Sequence, residues 1–191
     1  MRRSSLVLVA VTLLAVVGTS FYSQGQPQNQ PPRPARSRAD ETLEMWNAIG
    51  NKLVAMAQDF PEDKYDFKPT PPMRSFAEQL LHVAGSMEYF TGPVQGKTPA
   101  KESENPPRAT YKTKADVVAF MKKEVEDGAA AIKAKGDKGM ADSITDPDSK
   151  QQMHISDLAY GLIEHSGEHY GQLVVYYRLS GLVPPESRPK K

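Results

Sequence analysis

The sequence predicts an all-α protein, a four-helix bundle. Three observations carry the prediction. Four segments of roughly 16 to 26 residues place apolar side chains at three- and four-residue intervals, one stripe per segment. Helix start and stop residues bound them. No stretch alternates strictly over several residues as a half-buried strand would, so the connections read as loops.

The N-terminus precedes the bundle. In residues 1–25, Arg2 and Arg3 come before a 12-residue apolar run, Leu6 to Val17, and then small residues Gly18, Thr19 and Ser20. This is the layout of a secretory signal peptide, and it predicts an exported protein, periplasmic or secreted. The run is short for a spanning helix, which needs about 20 residues. If retained, it would act as an N-terminal membrane tether. Cleavage after residue 25 would remove Arg2 and Arg3 and no acid, taking the net charge from +1 to −1. Residues 26–38 are rich in Pro and Gln with little to bury, and read as a linker. Residues 39–191 then form the bundle domain.

The first helical segment is Ala39 to Gln58. Leu43, Trp46, Ile49, Leu53, Val54 and Ala57 make its stripe, and Asp59-Phe60-Pro61 ends it. The second opens at Ser75, where Ser75 and Glu78 have capping-box spacing. Phe76, Gln79, Leu80, Val83 and Met87 form its inner face, and Gly92-Pro93 is the expected stop near Phe90. The third runs from Lys114 to about Lys135. Thr113 and Asp116 give its start, Val117, Phe120, Met121, Val125 and Ile132 its buried face, and Gly136 its end. The fourth runs from about Ile155 to Ser180, with Leu158, Leu162, Leu173, Tyr176, Tyr177 and Leu179 as its large apolar residues. Gly181 is its C-cap, and Pro184-Pro185 prevents continuation.

Composition narrows the function. The chain has 24 basic and 23 acidic residues, so it lacks the excess of positive charge that phosphate-backbone binding needs, and no nucleic-acid partner is expected. Cysteine is absent, which removes disulfides, thiolate metal sites and a catalytic thiol. A metal would have to be held by His, Asp, Glu or neutral oxygens.

Two of the four histidines, His165 and His169, lie four residues apart on the fourth segment. On a helix they are about 40° apart around the axis and about 6 Å apart along it, so two imidazoles can converge on one ion. The zinc-protease motif itself is absent, because Ser166 stands where its glutamate would be. Two solvated or hydrogen-bonded histidines are the alternative reading. A third ligand must come from elsewhere, and His82 on the second segment is the candidate. His154, 11 residues before His165, is too far along the axis and belongs to the helix start. Gln172 and Tyr176 share the face of the pair. Glu168 flanks it as a weaker neighbour, and Glu164 projects to solvent. Gly161 and Gly171 would let a neighbouring helix or a ligand approach closely.

With "SFAEQLLHVAGSMEYF" and "LIEHSGEHYGQLVVYYRLSGLVPPESR" in place, the chain resembles the DinB family of DinB/YfiT-like metalloenzymes over roughly Ala39 to Arg188. The family pattern has one His on the second helix, then two His four apart followed by Gly-Gln. His82, His165 and His169 fall on its three metal positions, and Gly171-Gln172 on its Gly-Gln. Tyr170 stands where the family often has Arg. The resemblance implies a four-helix bundle, often a homodimer, holding a divalent metal with three histidines. Some relatives act as thiol-dependent transferases or isomerases.

Three neutral imidazoles suit Zn or Ni, and also Cu or Fe, and leave at least one position open, the catalytic arrangement. The expected function is a metal-dependent hydrolase or transferase acting on a small-molecule substrate. Gln172 and Glu168 are the candidates for a second layer around the metal. The competing expectation is a non-enzymatic, metal-binding or stress-associated bundle protein.

Overall fold

The structure is a computed structural model, and it describes residues 35–98, 103–146 and 149–189. The apolar run Leu6–Val17 and linker residues 26–34 lie outside the described residues. Residues Arg36–Lys191 form a compact unit. Among the described residues there are four α-helices: α1 (Arg38–Asp59), α2 (Phe76–Val94), α3 (Lys114–Met140) and α4 (Ile155–Leu179). No helix among them is long and apolar enough to cross a membrane.

The helices pack as a four-helix bundle in the cyclic order α1, α3, α2, α4. Consecutive helices α1 and α2 are therefore diagonal partners, as are α3 and α4, and the loops after α1 and α3 must cross an end of the bundle. That order sets α2 beside α4, the two helices that carry His82 and the His165–His169 pair.

The predicted stripes are the core. Trp46, Leu53 and Ala57 of α1 are fully buried, as are Phe76, Leu80, Val83 and Met87 of α2, Met121 and Ile132 of α3, and Leu173, Tyr176 and Tyr177 of α4. Trp46 donates from its indole N–H to the Val125 carbonyl at 2.9 Å and tilts against Phe90, ring centroids 5.2 Å apart. Gly128 admits the Trp46 ring; a Cβ there would lie 2.0 Å from it. At the other end Phe60 stacks on Phe76 at 3.8 Å, with Tyr65 and Tyr177 packed edge-on around them. The Tyr177 hydroxyl is satisfied by the Met56 carbonyl at 2.9 Å. Leu179, by contrast, is exposed.

The helix starts at Ser75 and Thr113 are formed as expected, each a complete capping box with Glu78 and Asp116. At the end of α4, Gly181 takes a positive φ, and bonds from Leu182 N to Tyr177 O and from Gly181 N to Arg178 O close the last turn.

Three expectations are corrected. Gly92-Pro93 does not stop α2. Pro93 lies inside its last turn, and the true terminator is Gly96 (φ +75), with Lys97 N bonded to Gly92 O and Gly96 N to Pro93 O. A proline blocks one backbone bond, but near the C-terminus few further bonds depend on it. Gly136 does interrupt α3 (φ 57), yet the helix resumes to Met140. The redirected chain sets Asp137 to accept from Ala39 N at 2.8 Å, tying the start of α1 to α3. Finally, the loop after α3 contains an antiparallel pair of strands, β1 (Ser143–Thr145) and β2 (Gln152–His154), with Ile144 opposite Met153. Three residues per strand are too few to show alternation in sequence, although Ile144 and Met153 are the half-buried members of exposed neighbours. The hairpin delivers His154 as the N-cap of α4, its Nδ1 2.9 Å from the Ala141 carbonyl.

Candidate metal centre

His82 sits near the middle of α2, seven residues beyond the Ser75 cap. His165 and His169 occupy the middle of α4, facing it. The structure brings the three together. One nitrogen of each lies within 4.8 Å of the others. The ring centroids are 5.2, 4.8 and 4.5 Å apart, and every pair of rings is inclined at 71°, a three-bladed arrangement.

The hydrogen bonds choose the free nitrogens. His82 Nδ1 is 2.8 Å from the Glu104 carbonyl, which can only accept, so Nδ1 carries the proton. His169 Nδ1 is 3.1 Å from Gln79 Oε1, and the Gln79 amide N–H donates in turn to Gln172 Oε1 at 2.5 Å. His169 therefore also holds its proton at Nδ1. In both rings Nε2 keeps its lone pair. On His165, Nε2 is buried and has no hydrogen-bond partner among the described residues. A buried polar atom left in that condition costs on the order of 1–3 kcal/mol unless a ligand satisfies it. Nitrogen ligands about 2.0–2.1 Å from a tetrahedral ion would stand about 3.3 Å apart. A modest closure of the present cluster reaches that spacing, so the donor set fits a divalent ion. Among the described residues the group consists of these three histidines, with no fourth His, Cys, Asp or Glu.

Burial lowers the basicity of all three imidazoles. Desolvation is the main cause for each. His169 is pushed down to about 4, with the neighbouring His165 and His82 adding to the effect. Neutral rings with lone pairs in place need lose no proton before binding an ion.

The other sequence candidates divide. Gln172 is exposed and reaches the cluster through Gln79, one step removed from His169. Glu168 is exposed and acts on His165 by its charge through space; Glu164, also exposed, does the same more weakly. Tyr176 points its hydroxyl to the Arg74 carbonyl at 2.5 Å. Tyr170 turns towards α1, with the Lys52 ammonium 5.7 Å from its ring centre. No neighbouring helix approaches closely at Gly161 or Gly171: among the described residues an added Cβ would meet nothing within 4 Å at either. The tight glycine beside His82 is Gly85 on α2, where a Cβ would fall 1.9 Å from the Ser103 carbonyl oxygen. That contact lets the loop before α3 lie on α2 and present the next carbonyl, Glu104, to His82.

Sequence reasoning missed Gln79 and Glu104. Gln79 had a signal. It is a polar residue within an apolar stripe, three residues before His82 and so on nearly the same face. Glu104 contributes a backbone oxygen, for which no residue type gives a signal.

Comparison with known proteins places the chain in a family. The DinB superfamily sequence profile matches residues 24–173. No curated protein matches. Among solved structures, a DinB-like protein from Bacillus cereus is similar with a TM-score of 0.65 and 17% identity, covering 76% of this chain and 95% of that one. A DinB-like protein from Bacillus subtilis gives 0.60 and 19%, covering 78% and 99%. YfiT from Bacillus subtilis, described as a probable metal-dependent hydrolase with an unusual four-helix bundle topology, gives 0.56 and 15%, covering 80% and 94%. At these identities the likeness is one of fold.

Proposed function

The chain belongs to the DinB superfamily, and from that premise we propose that it is an exported metal-dependent hydrolase or group-transfer enzyme built on His82, His165 and His169. The observation that carries the reading is the buried, unpartnered Nε2 of His165, held beside two rings whose own protons are parked at Nδ1. The description of YfiT as a probable metal-dependent hydrolase supports the reaction class.

A divalent ion, Zn or Ni on the chemistry of an all-imidazole set, would supply Lewis acidity at its open position when bound. The chain supplies the rest. Glu104 and Gln79 keep the Nδ1 protons of His82 and His169 in place and set the ring planes. Gln172, joined to Gln79, stands at the exposed side of the site, where it can bond an incoming polar group. The near balance of charge supports a small-molecule substrate over a nucleic acid. Export, with the N-terminal segment either cleaved or kept as a tether, rests on residues 1–25. A homodimer is part of the proposal by family likeness.

Two measurements test it. Purified protein should take up one equivalent of Zn²⁺ or Ni²⁺, and His165→Ala should not; equal, negligible metal in both would refute the site. Metal-loaded protein should turn over at least one member of a panel of esters, amides, lactones and thiol acceptors. Activity unchanged in His169→Ala would remove the mechanism.

A further inference from the structure

One polar groove of about 370 Å³ is lined by three cations, Lys68, Arg74 and Arg108. Two of them have carboxylate partners. Lys68 Nζ lies 2.9 Å from Glu78 Oε2, and Arg108 Nε lies 2.8 Å from Asp66 Oδ1. Among the described residues Arg74 is in no ion pair. Its guanidinium makes one hydrogen bond there, from Nη2 to the neutral Oδ1 of Asn105 at 3.0 Å.

An exposed arginine without an acid is common on any surface. This one is fixed at both ends to residues that lie close in the chain to members of the histidine cluster or to the group that orients one of them. Its backbone carbonyl accepts from the buried Tyr176 hydroxyl, and Tyr176 lies two turns beyond His169 on α4. Its side chain is held by Asn105, the residue after Glu104, whose carbonyl orients His82. The positive charge reaches all three imidazoles, whereas Glu164 and Glu168 act on His165 and Glu104 on His82. No single acid acts on all three rings, and on His169 no acid opposes the arginine.

We propose that Arg74 is the anion-binding element of the site, so that the substrate carries an oxyanionic group, a carboxylate or a phosphate, bound by the guanidinium while its reacting atom lies at the three histidines. The planar fork of Arg suits such groups because two of its N–H donors can meet two oxygens at once. Asn105 pre-orders the fork from one side and leaves its remaining donors for the ligand. Lys68 and Arg108 are already neutralised, so they add little field of their own. The inference rests on the metal-centre reading for its place next to the chemistry, but anion binding by Arg74 can be measured apart from it.

The test tracks the side-chain Nε–Hε resonance of Arg74 in ¹⁵N-labelled full-length protein, identified by its loss in Arg74→Gln. Metal-free and Zn²⁺-loaded forms are each titrated with acetate, phosphate and neutral acetamide. Acetate or phosphate should shift the resonance saturably in both forms, and acetamide should not. The tighter anion names the group. Isothermal calorimetry, which reads wild type and variant alike, should show Arg74→Gln lowering that anion's affinity at least fivefold while leaving Zn²⁺ affinity within twofold. No saturable shift with either anion, or equal affinity in Arg74→Gln, overturns the inference. A protein that holds no zinc but shows the metal-free shift would sink the metal reading and leave this one standing; zinc uptake without the shift would do the reverse.

Discussion

His169 Nδ1 lies 3.1 Å from Oε1 of Gln79, a bond that joins α4 to α2 across 90 residues of sequence. It settles which nitrogen of His169 is free, and it places a neutral amide where many metal sites put a carboxylate.

Gln79→Leu should therefore keep the fold and lose metal affinity. Loss of such an outer partner typically costs about 10–100-fold. Gln79→Glu should recover the affinity, because a carboxylate can accept from the same Nδ1–H and raises the basicity of the ring. Chelator competition with Zn²⁺ reads both. Wild-type affinity in Gln79→Leu would show that the amide does not orient His169.

Gly85→Ala probes the other support. The new Cβ would overlap the Ser103 carbonyl, so the loop must lift and carry Glu104 away from His82. Overpacking of this kind costs about 1–3 kcal/mol. The expected result is a lower urea midpoint together with weaker zinc binding. A stability loss with zinc affinity unchanged would separate the loop from the site.

The metal-free protein should lose stability as the pH falls below neutral. His169 titrates near 4 when folded against about 6.5 when unfolded, so between those values the unfolded chain binds the extra proton. Its contribution is fully present above about pH 6.5 and is lost as the pH falls towards 4, on the order of 3 kcal/mol across that window. His82 and His165 shift in the same direction. Urea melts of metal-free wild type and His169→Ala should converge in acid and diverge towards neutral pH. Parallel curves would contradict the assignment.

Glu124 makes the opposite prediction. It is buried on α3 with Oε2 unpartnered, while Oε1 takes a bond from Lys123 at 2.7 Å. Desolvation raises its pKa despite the lysine. A carboxyl that is harder to ionise when folded favours the native state in acid, and that advantage is lost as the pH rises through its folded pKa. Glu124→Gln should raise the urea midpoint at pH 8, with a gain that shrinks as the pH falls. A lower midpoint at pH 8 would mean that the Lys123 pair outweighs the burial.

The sequence was most legible where structure is local. The helical stripes of Trp46, Leu53 and Ala57, of Phe76, Leu80, Val83 and Met87, and of Leu173, Tyr176 and Tyr177 are periodic, and periodicity is what an amphipathic helix writes into its chain. The caps at Ser75 and Thr113 could be read because each box lies within four residues. Misreadings fell at Gly92-Pro93, at the resumed turn after Gly136 and at the three-residue strands around Ile144 and Met153. There the outcome depends on the residues beyond the breaker, or on a partner strand across the hairpin.

By itself, the sequence determined that His165 and His169 share one face of a helix, and that His82 lies on a second helix of the same kind. The 3.6-residue period is a property of the local backbone, so it can be read without any tertiary contact. The cyclic order α1, α3, α2, α4 that sets those faces together was decided by tertiary structure alone. So were the pairing of His169 with Gln79, the loop carbonyl of Glu104 on His82, and the setting of Arg74 between Tyr176 and Asn105. Each joins groups that are 22 to 102 residues apart, or linked through a backbone atom. Such contacts arise when whole faces pack, and no spacing within a single helix encodes them.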